Sequence, residues 1–240
     1  MATRGRPPRI PREQQEQELL AAARRVIDAH GIDDAQVGDI ARAAGISKAL
    51  VYRHFASKDE LRIAAVVVYL DELGELLESS VGAADPVDEL LDVAACFVRY
   101  GIDHPAFLDC SLAVLRRPPQ ELLDQLSPAT LLRVTQAMAR SLCIIVAVID
   151  RGRQTGAFTI EDPHLWANYW YARALGALHL ARIGAIVCPS EDEVPGLRSV
   201  AADEIERIAL HDVLADVGVT DRVAALNAWR ARSASTPSSA

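Results

Sequence analysis

Apolar residues recur every three to four positions over most of the chain, with polar residues filling the face between them. That is the period of an amphipathic helix. The pattern predicts helices over roughly 11–30, 37–44, 48–55, 58–82, 86–103, 106–115, 119–155 with a break near Ser127, 162–185 and 196–215, and a short one near 221–231. No alternating strand pattern of useful length and no internal repeat is present. Four proline pairs mark starts: Asp85-Pro86, His104-Pro105, Ser127-Pro128 and Asp162-Pro163. Asp and Ser suit the N-cap, and proline suits the first helical position because its missing N–H had no partner there anyway. Gly31 and Gly156 read as stops. "SKDE" sets Ser57 at an N-cap with Glu60 three residues on, a capping box. The tail from 233 to 240, "SASTPSSA", reads as disordered.

Composition supports helix. Half the residues are apolar, aromatics are only 5%, and alanine is abundant. The length of 240 residues suffices for a substantial core. Net charge is −8, unevenly spread: residues 1–62 carry 11 Lys and Arg against 9 Asp and Glu, and the rest carry 14 against 24. Both lysines of the chain, Lys48 and Lys58, fall in "ISKALVYRHFASKDEL". The four cysteines, Cys96, Cys110, Cys143 and Cys188, form no C-x-x-C pair and sit in or near apolar runs, which reads as buried thiols in a reducing compartment. The basic N-terminus is followed by no apolar segment of the secretory kind. The longest apolar run, Leu142–Ile149, is far below the ~18 residues of a membrane span, so a cytoplasmic protein with no membrane partner is expected.

The densest chemistry lies in "VGDIARAAGISKALVYRHF". A short helix, the turn "GIS" and a second short helix make a helix-turn-helix. Gly45 permits the left-handed turn and Ser47 caps the second helix. Ile40, Ala41 and Ala44 face inward, as do Val51 and Phe55, four apart. Burying that pair turns Ala49, Leu50 and Arg53 outward together, flanked by Lys48, Tyr52 and His54. Small, apolar and guanidinium groups would then meet a DNA groove while hydroxyl, ammonium and imidazole donors reach phosphates. Lys58, at the start of the next helix, stands beside the same backbone.

On those residues, and on "LLAAARRVIDAHG" upstream, the segment 13–62 resembles the DNA-binding domain of the tetracycline-repressor (TetR) family of bacterial transcriptional regulators. The likeness covers the first quarter of the chain. It implies an all-helical homodimer in which the first three helices bind double-stranded DNA. A fourth helix would link them to a larger domain holding a small-molecule pocket and the dimer interface. By position, Ser47, Lys48, Tyr52, His54 and Lys58 match phosphate contacts, and Ala49, Leu50 and Arg53 match base-facing positions. Gln36 stands where the family usually has Thr or Ser, and Leu50 replaces a more usual Thr or Ser. The expected organisation is a basic arm over 1–10, a helix-turn-helix domain over 11–57, a ligand-binding and dimerisation domain over 58–232, and the tail.

In the arm, Arg4-Gly5-Arg6-Pro7 resembles the core of an AT-hook, an extended cationic strip suited to the minor groove; an unstructured basic tail is the alternative. Residues 63–240 hold no G-x-G-x-x-G, P-loop, G-x-S-x-G or H-E-x-x-H, so no enzyme and no cofactor is indicated. His104, Asp109 and Cys110 fall short of a metal site in ligand number and spacing. Tyr69, Phe97, Tyr100, Phe107, Met138, Cys143, Trp166 and Trp170 are the pocket candidates, with His104, Asn168 or Arg173 as polar anchors, which suits an apolar or aromatic effector. Ala174, Ala177, Ala181 and Gly184 recur at helical spacing, and Val200, Ile205 and Ile208 form a second stripe; together they suggest a four-helix dimer face. The combined reading is a ligand-responsive homodimeric repressor of a palindromic operator. The alternatives are an architectural DNA binder without effector, and a helical ligand carrier or enzyme.

Overall fold

The structure, a computed structural model, describes residues 11–188 and 196–235. The described elements run α1 Arg12–His30, α2 Val37–Ala43, α3 Lys48–His54, α4 Lys58–Ala64, α5 Val66–Ser80, α6 Pro86–Asp103, α7 Pro105–Leu115, α8 Pro119–Gln125, α9 Pro128–Gln154, α10 Pro163–Ile183, β1 Ala185–Cys188, β2 Gly196–Ser199, α11 Ala202–Asp216 and α12 Arg222–Ser235. The protein is all-α, with an N-terminal helix-turn-helix followed by a larger helical part, as the periodicity indicates.

The punctuation acts as the sequence suggests. Asp85 accepts from Val87 N–H, and Asp162 accepts from the N–H groups of His164 and Leu165. Gly31 closes α1 at φ +83°. Three local differences have physical causes. The expected helix over 58–82 is interrupted at Ala65, just before the β-branched run Val66–Val68, which is a weak helix former. A two-stranded antiparallel piece, with Val187 opposite Leu197, occupies 185–188 and 196–199, so the last long helix begins at Ala202 and not 196. Strands of four residues are too short to show a period of two. The tail expected to be disordered from 233 instead continues α12 to Ser235; residues 236–240 lie outside the described residues.

By contacts the chain forms two compact units. Among the described residues, one comprises residues 11–68 with Asp109–Val134; the other comprises Tyr69–Leu108 with residues 135–188 and 196–235. In the first, Leu19, Ala22, Ala23 and Ile27 of α1 pack with Ile40, Val51, Phe55 and Leu61. In the second, Phe97 lies at the centre of an aromatic cluster, edge-on to Phe107 at 5.9 Å, to Trp170 at 5.1 Å and to Tyr171 at 5.6 Å. Arg232 pairs with Asp88 and Asp92, and Trp229 donates its indole N–H to Asp92 at 2.7 Å, fastening α12 to α6.

All four cysteines are free. Only Cys110 is buried, and burial pushes its thiol up to about 12, which makes it an inert core atom. Cys143 is exposed and the other two are half-buried, contrary to the expectation of four buried thiols. By length and composition α9 could cross a membrane. Its buried side chains, among them Val134, Ile145, Val148 and Ile149, are core residues of the protein.

Gly101 marks the closest approach of α6 to α10. A Cβ there would stand 2.2 Å from a Leu178 methyl. Helix propensity alone favours alanine over glycine by about 1 kcal/mol. Overpacking at a buried site costs about 1–3 kcal/mol. Gly101→Ala should therefore lower stability in urea unfolding; a gain would show that the two helices can move apart freely.

Candidate nucleic-acid interface

α2 and α3 are seven residues each, and a helix that short is not stable by itself in water. Three local devices hold them. Gly45 takes φ +67°, a left-handed turn, and Ile46 N–H returns to Ala41 O at 3.0 Å. Ser47 Oγ accepts from Leu50 N–H at 3.2 Å and caps α3. Val51 and Phe55, each 1% exposed, fasten α3 to the core.

That docking decides what faces water. Ser47, Lys48, Ala49 and Arg53 are exposed, Tyr52 is 51% exposed, and Leu50 and Lys58 are half-buried. Lys58 Nζ donates to Gln36 Oε1 at 3.2 Å, so Gln36 holds a cation at the entrance to α2. The Lys48 stem lies over Gly38, where a Cβ would be 2.6 Å from Lys48 Cε. His54 departs from expectation. Its side chain is 5% exposed and faces Glu16, with Nδ1 3.9 Å from a carboxylate oxygen. Nδ1 makes no hydrogen bond there, and the enclosed imidazole is turned away from the outer face. The cause is position: His54 is the last helical residue, between the outward Arg53 and the buried Phe55. Arg4 and Arg6 lie outside the described residues.

Two acidic residues beneath α3 carry no motif of their own. Glu16 is buried and pairs with Arg133 at 2.7 Å. Its only sequence signal is a charge on the stripe Glu16, Leu20, Ala23, Ile27, which is otherwise apolar. Glu60 is 1% exposed. Its carboxylate accepts from Ala56 N–H at 2.7 Å and from Ser127 N–H at 2.9 Å. The capping box thus departs from its usual form: Ser57 Oγ accepts from Glu60 N–H, but Glu60 reaches back to Ala56 and not to Ser57.

The expected pocket residues divide. Tyr69, Phe97, Tyr100, Phe107 and Trp170 are buried together. Tyr100 donates to Glu72 at 2.8 Å, and its ring lies 4.5 Å from His104. Trp166 stacks on Trp170, with a buried Nε1–H that has no hydrogen-bond partner. Met138 is half-buried. Cys143 is exposed and so is not a wall of an enclosed cavity in the chain. Of the expected anchors, Arg173 is engaged by Asp216 and Asn168 donates to His164 O. The expected dimer stripe also divides. Ala174, Val200 and Ile205 are core residues of the chain: Ala174 lies on the inward side of α10, Ile205 on that of α11, and Val200 just before α11. Ala177, Ala181 and Gly184 are half-buried, and Ile208 is 54% exposed. Among the described residues there is no cluster of three metal-ligating side chains.

Residues 19–65 match the family described as bacterial regulatory proteins, tetR family. Over 68 residues the chain is 40% identical to the HTH-type transcriptional regulator BetI of Brucella anthropi. Over 65 residues it is 40% identical to the HTH-type transcriptional activator FasR of Mycolicibacterium smegmatis. These matches cover 28% and 27% of this chain, and only 35% and 30% of those proteins. The fold of the whole chain is like that of RolR, solved in complex with resorcinol: the TM-score is 0.64 at 20% identity, over 95% of this chain and 97% of that one.

Burial alone would raise the Glu60 carboxyl. Hydrogen bonds from Ser127, Thr130 and Ala56 outweigh it and hold the group below its ordinary value of 4.5. Such a group stabilises the fold fully above pH 4.5 and loses that contribution as pH falls through its folded value. Glu60→Gln should cost about 1.5–3 kcal/mol at pH 7. In urea melts followed by circular dichroism, the gap to wild type should close as pH drops below 4.5. A gap independent of pH would deny that the charge matters.

Proposed function

We propose that this chain, whose residues 19–65 are a tetR-family domain, is a cytoplasmic, ligand-responsive, homodimeric repressor that binds a palindromic operator. The observation that carries the reading is α3 itself. Val51 and Phe55 fix its rotation, so Ala49, Leu50 and Arg53 form a reading face and Lys48 and Tyr52 flank it. Lys48, Tyr52, Ser47 and Lys58 contact phosphates; His54 supports α3 from within. Arg53 is the residue on the reading face able to make a bidentate pair, and guanine presents O6 and N7 to it. Arg4 and Arg6 of the basic arm add minor-groove contacts.

The effector is a small apolar or aromatic molecule held beside the cluster of Phe97, Phe107 and Trp170, with the Trp166 indole N–H as a polar anchor. The fold shared with RolR, whose complex holds resorcinol, supports an aromatic ligand. The dimer forms on the outward stripe of α10, where Leu165, Tyr169, Ala172, Gly176, His179 and Ile183 are all exposed at spacings of four and three. Two reading helices must enter successive major grooves ~34 Å apart. A ligand that favours another spacing lowers operator affinity.

Selection from a pool of randomised duplexes tests the reading. A palindrome with salt-dependent affinity is expected; an A·T preference without a palindrome would instead make the arm the binding element. On the selected duplex, Arg53→Ala should cost about 1–3 kcal/mol and relax one base position, with little effect on random DNA. Lys58→Ala should weaken both alike and reduce the slope of log affinity against log salt by about one. Equal losses on both duplexes for Arg53→Ala would assign Arg53 to a phosphate.

The interface has its own check. Gly176→Arg places a charge at the centre of the α10 stripe and should give monomers in sedimentation. A dimer that survives would put the contact on another face.

A further inference from the structure

Two buried carboxylates converge on the C-terminal end of α3, and contact with DNA explains neither. Glu60 uses its two oxygens in different directions, one toward Ala56 N–H and the other toward Ser127 N–H. Glu16 lies between Arg133 at 2.7 Å and His54 Nδ1 at 3.9 Å. On the far side of both carboxylates stand Ser127, just before α9, and Thr130 and Arg133, three apart on its first turns. On the near side stand His54 and Ala56, which bracket the last turn of α3 and its exit. Thr130 is 2% exposed, and its hydroxyl hydrogen-bonds with that of Ser127 at 3.0 Å.

We propose that Glu16 and Glu60 are positioning residues of the nucleic-acid interface, through which one face of α9 sets the attitude of the reading helix. A buried carboxylate is tolerated only while its hydrogen bonds are made. Glu60 of α4 bridges the exit of α3 to Ser127, and Glu16 of α1 lies between Arg133 and His54, so displacing the start of α9 relative to α3 strains one or both links. The two helices therefore move together, and Arg53, one residue before His54, moves with them. α9 runs unbroken to Gln154, and its residues from Thr135 on belong to the second compact unit. This rests on α3 being the element that enters DNA.

The test uses the full chain, with Arg133→Gln as the main variant, since Arg133 is 30% exposed and glutamine keeps a neutral donor opposite Glu16 while removing the charge. Hydrogen exchange should quicken at amides 53–56 while Leu19–Ile27 of α1 keep their protection. Affinity for the duplex recovered from the randomised pool should fall roughly two- to thirtyfold, with random DNA little affected. Arg133→Lys, which keeps a cation opposite Glu16, should recover most of the loss; a purely structural role would instead lower the melting temperature and leave the selected-to-random ratio alone. Thr130→Val, which removes a donor from Glu60, should act in the same direction. Unchanged exchange at 53–56, or an equal loss on both duplexes, overturns the proposal. If wild type selects no duplex, the regulator reading fails, and the exchange at 53–56 alone decides whether α9 holds the end of α3.

Discussion

A helix of seven residues has no stability of its own, because the cost of nucleating it is not recovered over two turns. α3 exists because Val51 and Phe55 are removed from water and Ser47 satisfies an N-terminal N–H. Burying those two side chains is worth about 1.5–3 kcal/mol each, comparable to the cost of holding the helix. The outward face is the remainder of that operation. Ala49, Leu50 and Arg53 share one side only because 51 and 55, four apart, occupy the other. Rotation, and with it the choice of which atoms could meet a base, is set from inside the domain.

The same logic separates what the chain's pattern disclosed from what it withheld. The helix-turn-helix was legible because its parts are local: a glycine where φ must be positive, a serine three residues before the N–H it accepts, two apolar residues one turn apart. Helix starts were legible at Asp85 and Asp162 for the same reason. What escaped depends on contacts distant in sequence. His54 looked like one more donor in a basic run, and only the position of Glu16, nearly forty residues earlier, shows that its imidazole is enclosed. Glu60 was legible as half of a capping box, but its bond to Ser127 closes across 67 residues. Arg133 sits in an ordinary helical pattern with nothing to distinguish it. The four-residue strands β1 and β2 were missed because a period of two needs more than two repeats to be seen.

The larger unit shows a different limit. Composition named its large side chains, and most of them do gather: Phe97, Phe107, Trp170 and Tyr171 meet at centroid distances of 5–6 Å, edge to face, as aromatic quadrupoles prefer. Polar anchors were harder to choose, because a charged residue near an aromatic in sequence has many other partners available. Arg173 went to Asp216 instead, and stacks on Tyr169 at 5.4 Å. Among the described residues, one buried group left without a partner is the Trp166 indole N–H, which no count of charges would pick out. Part of the expected dimer stripe is core of the chain for a related reason. Small residues allow close helix approach, but Ala174 uses that closeness within its own chain.

Charge makes the last link between composition and the interface. A chain of net charge −8 should repel a polyanion at long range. The excess acid lies beyond residue 62, while the first 62 residues carry a small excess of base, and the two lysines open α3 and α4. At physiological ionic strength exposed charges are screened beyond ~8 Å. On the proposed reading, DNA at α3 would lie within that distance of Lys48, Arg53 and Lys58 and beyond it from most of the acidic surface. The two acidic residues beneath α3, Glu16 and Glu60, are withdrawn into the core and occupied by Arg133 and by Ser127 and Ala56. Their burial supports the helix and removes two negative charges from the outer face on which the cations must act.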